Sequence, residues 1–299
     1  MAAMSRRQTP EAQPAPAGRG ALDADWLGAC RRMVTAQQAL FDANLGIAAR
    51  TVYEGIGEGG DRALALDRRC EDIVFAELER LHADGHGFVA ISEERGEVPF
   101  GDHAGNTVVI VDPLDGSLNA RRTLPSHSLS IAVASGPTMA DVELGFVHDF
   151  GSSEEYFARR GAGAALGGRE LRAEGPGYGL EVVGIESAKP ERTIPLLQAL
   201  AGKAYRMRAV GSIAISLAYV AAGRFDAMLT GRACRSVDAA AGQLIAREAG
   251  AEVAFAGSGL DVGLDLELRY HVAAALDGEL LATVLQAQEN AEPPPEPEG

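Results

Sequence analysis

Residues 107–120 read TVVIVDPLDGSLNA: an apolar run ends in two aspartates three positions apart, and a glycine and a serine follow at once. The run from Thr107 to Val111 has the composition of a buried strand. Asp112 and Asp115 therefore stand at the lip of a low-dielectric core. Like charges repel there, and burial raises the cost unless something positive lies between them. A turn accounts for the same residue types, since Pro113 fixes φ, Gly116 accepts φ above zero, and Asp-Pro and Asp-Gly are ordinary turn chemistry. The stretch alone leaves both readings open.

The chain has 299 residues, 46% of them hydrophobic, enough for a sizeable core in one large domain or two modest ones. A soluble globular protein is expected. The formal net charge of -15 argues against nucleic acid or an anionic membrane as partner, because both are polyanions gripped by clustered Lys and Arg. An acidic chain that handles phosphates needs metal ions. Cys30, Cys70 and Cys234 are too scattered for a CxxC zinc pattern, and an odd number gives no disulfide framework, which points to a reducing cytoplasm. No apolar run approaches the roughly 20 residues of a membrane span.

Residues 1–22 are rich in Pro, Ala and Gly and lack the apolar stretch of a secretory signal, so they read as a disordered leader. Residues 288–299, QENAEPPPEPEG, read as a disordered acidic tail. Between them, Trp26, Leu27, Cys30, Val34, Leu40 and Phe41 are spaced for one face of a long helix, and Ile73, Val74, Leu78 and Leu81 for another. FVAISEE (88–94) alternates like a strand, and HSLSIAVASG (127–136), VELGFVHDF (142–150) and EEYFARRGAGAALGGREL (154–171) read as a meandering antiparallel sheet with glycine turns. The run GAGAALGG is not a dinucleotide fingerprint: its glycine order is wrong and it leads toward a strand. From LEVVGIES (180–187) onward, strands and helices alternate, which sets a domain boundary near 180. An N-terminal α+β domain (23–180) with a largely antiparallel sheet and a C-terminal α/β domain (181–287) follow from that change.

Carboxylates recur at predicted element ends. Glu93 and Glu94 follow one strand, Asp112 and Asp115 another, and Asp238 opens the helix VDAAAGQLIAREAG (237–250). Each alone has an ordinary explanation as a solvated loop charge, a turn former or an N-cap. Together they compose a site if the chain gathers them, and oxygen ligands without His or Cys suit Mg²⁺ better than zinc.

LDRRCED (66–72), AISEERGE (90–97), VDPLDGSLNA (111–120) and VDAAAGQLIAREAG (237–250) resemble, in order, the four signature blocks of the inositol monophosphatase and fructose-1,6-bisphosphatase superfamily of Mg²⁺-dependent, lithium-sensitive phosphatases. The resemblance spans roughly residues 25 to 285 and takes in the 156–172 hairpin and VGSIAISLAYVAAGRFDAM (210–228). It implies a layered α/β fold, a five-layer αβαβα sandwich, with the metal site between the two parts, and a cytoplasmic homodimer. By the family's pattern, Glu93, Asp112 and the Leu114 carbonyl hold a first Mg²⁺. Asp112, Asp115 and Asp238 hold a second, and a third, weaker ion near Glu93 is implied as well. The N-terminal domain thus carries most of the metal ligands. Two cations between Asp112 and Asp115 would explain why their repulsion is tolerated.

The resemblance also assigns the chemistry. Ser117 stands where the family usually has threonine, and Asp67 matches the acid that pairs with that hydroxyl; with Glu93, this dyad would orient and help deprotonate the attacking water. Asp115 and the N–H groups of Gly116 and Ser117 face the reacting phosphate, which passes in line to water. Water held near Asp238 would protonate the leaving alkoxide. Gly211 and Ser212 resemble the loop that touches the sugar or polyol.

In LTGRACRSVD (229–238), Thr230 and Gly231 occupy the region of an acid typical of strict inositol phosphatases, Val237 replaces a tryptophan, and Arg232 and Arg235 are added. This is similar to the archaeal-type bifunctional fructose bisphosphatase/inositol monophosphatases. The arginines hold a second phosphate or serve as surface charges. The substrate class is therefore a small phosphorylated polyol or sugar, inositol 1-phosphate and/or fructose 1,6-bisphosphate. A nucleotide 3′-phosphatase acting on adenosine 3′,5′-bisphosphate is a weaker reading, because DGSLNA lacks the DGTKGF-like continuation of such relatives. A silent scaffold is disfavoured because every metal-ligand position holds a competent residue.

Overall fold

The computed structural model describes residues 21–52, 65–101, 106–186, 189–256 and 259–291. Asp25 accepts a hydrogen bond from the Gly28 N–H at 3.0 Å and caps α1 (Trp26–Ala43), whose apolar stripe is buried. A single turn, α2 (Ile47–Arg50), follows, and α3 (Ala65–Ala83) packs beside α1.

Eight strands then form one sheet: β1 (Phe88–Ser92), β2 (Gly96–Phe100), β3 (Val108–Asp115), β4 (Ser128–Ala134), β5 (Val142–Asp149), β6 (Glu154–Arg159), β7 (Gly163–Leu166) and β8 (Arg169–Leu171), with α4 (Ser117–Arg121) between β3 and β4. The order is β2-β1-β3-β4-β5-β6-β7-β8, antiparallel throughout except for the parallel pair β1 and β3. The chain then lays down β9 (Leu180–Glu186), α5 (Pro190–Leu200), β10 (Ala204–Arg208), α6 (Ile213–Ala221), β11 (Ala227–Thr230), α7 (Ser236–Glu248), β12 (Glu252–Phe255), β13 (Val272–Ala275) and α8 (Gly278–Asn290). These five strands form a second sheet ordered β10-β9-β11-β13-β12.

The layers follow from where each apolar face goes. Trp26, Phe41, Leu78, Phe88, Ile131 and Phe146 fill the space between α1, α3 and the outer face of the first sheet. Leu180, Val183, Leu196, Leu229 and Val284 fill the space between the second sheet and α5 and α8. Between the sheets lie α6 and α7. Helix α6 is apolar on nearly every side, as a helix buried in a middle layer must be. Helix α7 carries Ala239, Ala240, Ala241 and Gly242 because it is squeezed: a Cβ on Gly242 would meet Leu217 of α6 at 2.8 Å, and a Cβ on Gly145 of β5 would meet the Ala241 carbonyl oxygen at 2.6 Å. The result is the expected αβαβα sandwich.

Residues 288–290, assigned to the tail by the sequence reading, belong to α8. They continue it because Ala287 is buried and the Gln288 amide donates to the Thr230 carbonyl at 2.9 Å. Residues 292–299 lie outside the described residues, as does the expected leader except Ala21 and Leu22; Ala21 is buried, and its carbonyl accepts from the Trp26 indole at 2.7 Å.

Candidate active site

Strand β3 alternates until it reaches its charges. Val109 and Val111 pack toward α1 and α3, and Ile110 toward the middle layer. Asp112 continues the inner face and pairs with Ser130 of β4. Three residues on, Asp115 would point to the opposite face of a regular strand. A bulge prevents this: Asp115 pairs with Ser128, so three steps on β3 match two on β4. Both aspartates thereby face the middle helices, while Leu114 packs into the outer core.

The N-terminus of α6 meets Asp115. Its Oδ2 accepts from Ser212 Oγ at 2.6 Å and from the Ala214 N–H at 2.8 Å, and Ser212 itself caps α6 by accepting from the Ile215 N–H at 3.1 Å. Asp238 sits in the first turn of α7, where its Oδ2 accepts from the Arg235 N–H at 2.8 Å. Helix N-termini favour such carboxylates, yet both stay strained electrostatically. Burial, Asp238 and Glu186 push the Asp115 carboxyl up to about 7 against its hydrogen bonds. Burial also raises Asp238. Asp112 is raised well above the usual carboxylate range, by burial first and then by Asp115, Asp238 and Glu93.

A cavity of 480 Å³ opens here, and Glu93, Asp115, Gly211, Arg232, Arg235 and Asp238, all expected at the site, line it. Arg235 Nη2 lies 2.5 Å from Glu93 Oε2. Arg232 is exposed at the cavity wall. Thr230 is not at the site: its hydroxyl accepts from the Val272 N–H at 3.1 Å, and with Gly231 it lines a separate cavity behind β11.

Asp67, near the start of α3, is pushed up to about 7 by burial and by Glu94 and Glu93. Its Oδ1 is buried without a hydrogen-bond partner, so this oxygen does not close the expected dyad with Ser117. Ser117 opens α4 behind Gly116, whose φ of 86° needs glycine and whose Cβ would lie 2.8 Å from the Ser126 carbonyl oxygen and 3.1 Å from that of Gly211. The loop at Gly116 and the loop at Gly211 therefore touch.

Several positioning residues escaped the sequence reading. Asn119 donates to the carbonyls of Ser126 and Val210, both at 2.8 Å, and ties the loops together. Glu186, at the end of β9, accepts from the N–H groups of Val210 (3.0 Å) and Gly211 (2.8 Å) and from Ser216 Oγ (2.6 Å). Buried Glu71 accepts from Ser92 Oγ and so fixes the strand end that presents Glu93. Glu186 obeys the strand-end rule that found the other acids. Arg269 lines the cavity as well, with no motif to mark it.

The donor set suits a hard divalent cation. Four carboxylates converge, Asp67 offers an unpartnered oxygen, and the one thiol on the wall, Cys234, is kept protonated by burial. As placed, no three His, Cys, Asp or Glu side chains among the described residues are gathered closely enough to hold an ion. Glu93 is turned to Arg235, and Asp115 to Ser212 and Ala214. Among the described residues, no helix is long and apolar enough to cross a membrane.

The family model described as "Inositol monophosphatase family" matches residues 30–292. A fructose-1,6-bisphosphatase/inositol-1-monophosphatase of Methanothermobacter thermautotrophicus is 31% identical over 281 residues, covering 88% of this chain and 96% of that protein. An inositol-1-monophosphatase of Mesorhizobium japonicum is 35% identical over 216 residues, covering 69% of this chain and 75% of that protein. Among solved structures, an inositol monophosphatase-fructose 1,6 bisphosphatase superimposes with a TM-score of 0.75 at 25% identity, covering 88% of this chain and all of that one.

Proposed function

The chain belongs to the inositol monophosphatase family, and from that premise we propose that it is a Mg²⁺-dependent phosphomonoesterase of small phosphorylated polyols or sugars, inositol 1-phosphate and/or fructose 1,6-bisphosphate. Its class is phosphoric monoester hydrolase. One observation carries the site: the bulge in β3 turns Asp112 and Asp115 to the same side, toward Asp238 on α7.

Glu93, Asp112, Asp115, Asp238 and the Leu114 carbonyl would hold two ions, with a third, weaker one near Glu93. When bound, Mg²⁺ supplies a water of lowered pKa and neutralises phosphate oxygens. The remaining work falls to the chain. The Ser117 hydroxyl orients the water that attacks in line, and the Asp67 carboxylate, poised near neutrality, takes the proton that this water gives up. The N–H groups of Gly116 and Ser117 take a phosphate oxygen, and Asn119 and Glu186 keep the Gly211–Ser212 loop against them. Arg232 and Arg235 at the wall favour an anionic substrate, including one that carries a second phosphate. The family habit also makes the active species a homodimer, readable by light scattering.

The test is phosphate release from inositol 1-phosphate, fructose 1,6-bisphosphate, adenosine 3′,5′-bisphosphate, histidinol phosphate and NADP, in Mg²⁺ and in EDTA. Release from either of the first two in Mg²⁺ alone is expected. Release from the adenosine bisphosphate alone would return the nucleotide reading, and silence on every substrate the scaffold reading.

A further inference from the structure

Capping does not account for the Arg235 side chain, and an anion-binding role alone does not account for its engagement with Glu93. Its backbone N–H serves Asp238 at the start of α7, which leaves the side chain independent of the helix cap. That side chain, one quarter exposed at 25%, reaches along the cavity wall to Glu93 at 2.5 Å. Burial works against the guanidinium charge, and Glu93, Asp238 and Asp112 together more than offset it. The guanidinium thus contacts one of the four carboxylates expected to ligate metal and feels the charge of two more. A Glu93 oxygen engaged at that distance is not free for a second cation, and two cations on one carboxylate repel.

We propose that Arg235 is the resident counter-cation of the carboxylate cluster: in the metal-free protein it neutralises Glu93, and a divalent cation binds by displacing it, freeing the guanidinium for a phosphate in the cavity. The inference rests on the metal-dependent phosphatase reading. It makes Arg235 a coupling device. Metal binding costs the Arg235–Glu93 pair, and the released charge then strengthens anion binding, so the two ligands reinforce each other. Arg232, exposed and farther along the same wall, is the natural control.

The experiment uses full-length protein stripped with EDTA, titrated calorimetrically with Mg²⁺, and then, when saturated, with inorganic phosphate. Arg235→Gln should bind Mg²⁺ about tenfold more tightly than the unmodified protein, while Arg232→Gln stays within about twofold, on the usual scale of such couplings. Phosphate should bind the Mg²⁺-loaded Arg235→Gln protein about tenfold more weakly, the scale of a lost charge-assisted hydrogen bond. Arg235→Lys, which keeps the charge without the planar fork, should move Mg²⁺ affinity in the same direction by less, and it serves if the Gln variant does not fold. Equal or weaker Mg²⁺ binding by both Arg235 variants, with the unmodified protein binding normally, overturns the exchange and leaves the phosphatase reading intact. An unmodified protein that binds no Mg²⁺ overturns both. Unchanged phosphate affinity in the loaded Arg235→Gln protein overturns the claim that the guanidinium moves to the anion.

Discussion

Two acidic clusters lie on the first sheet, and they differ in what surrounds them. At the β5–β6 hairpin, buried Asp149 accepts from the N–H of Gly151 (2.8 Å), from Ser152 Oγ (2.9 Å) and from the Tyr219 hydroxyl (3.1 Å). Its neighbour Glu154 accepts both terminal nitrogens of Arg224 at 2.6 Å, a bidentate pair that draws its carboxyl down to about 2. At the β3 bulge, Asp112 accepts, among the described residues, the Leu114 N–H alone at 3.0 Å, and its acidic neighbours push it up rather than down. The residue types are the same. One cluster carries a bidentate cation of its own and is finished by folding; the other has Arg235 on Glu93 against four carboxylates and is left short of positive charge, which is where a ligand can contribute.

Removing charge should therefore do opposite things in the two places. Asp115→Asn or Asp238→Asn should cut phosphate release by on the order of 10²-fold or more with circular dichroism unchanged. Glu154→Gln should leave turnover within about twofold, because its interactions are structural. Near-normal turnover in both site variants would erase the distinction. Next in size, Arg232→Ala should raise KM for fructose 1,6-bisphosphate roughly tenfold, and that for inositol 1-phosphate by no more than about twofold. Equal losses on both substrates would assign the arginine to the reacting phosphate or the fold. The smallest effect is thermal. Arg224→Ala should lower Tm by about 3 °C with activity retained, whereas Asp115→Asn in EDTA should hold or raise Tm, since one repelling carboxylate is gone and the amide oxygen still accepts from Ser212.

Much of this contrast was legible before the fold was known, because the signals are local. The apolar run before Asp112, the N-terminal position of Asp238 in its helix and the glycines at 116 and 211 each carry a backbone consequence that neighbouring residues determine. The bulge was not legible: Pro113 disturbs the ladder, but only the pairing of Ser128 and Ser130 shows that one residue is absorbed. Nor were the partnerships made across the layers. Arg235 with Glu93, Asn119 with Val210 and Glu186 with Gly211 join residues 142, 91 and 25 positions apart, and no spacing rule reaches that far. Strands β2, β12 and β13 were passed over because their composition is weak for a strand: GEVPF carries Gly and Pro, and EVAF and VAAA are four-residue runs with alanine in place of β-branched residues.

The central claim is that the bulge cluster is unfinished until a cation arrives, and the pH dependence of melting reads it directly. Asp115 has a folded pKa raised from 3.8 to about 7, so its contribution is present at low pH and lost as pH rises through about 7. The depressed Glu154 acts in the opposite sense, and only as pH falls toward about 2. Buried His127 and half-buried His148, both lowered chiefly by desolvation, add stability as pH rises toward 6.5 with or without metal, so the difference between Mg²⁺ and EDTA isolates the site. Melting the protein with and without Mg²⁺ between about pH 5 and 8 should give a stabilisation by Mg²⁺ that grows with pH, because ligands must be deprotonated to bind. A stabilisation that is absent, flat or shrinking across that range would contradict the account.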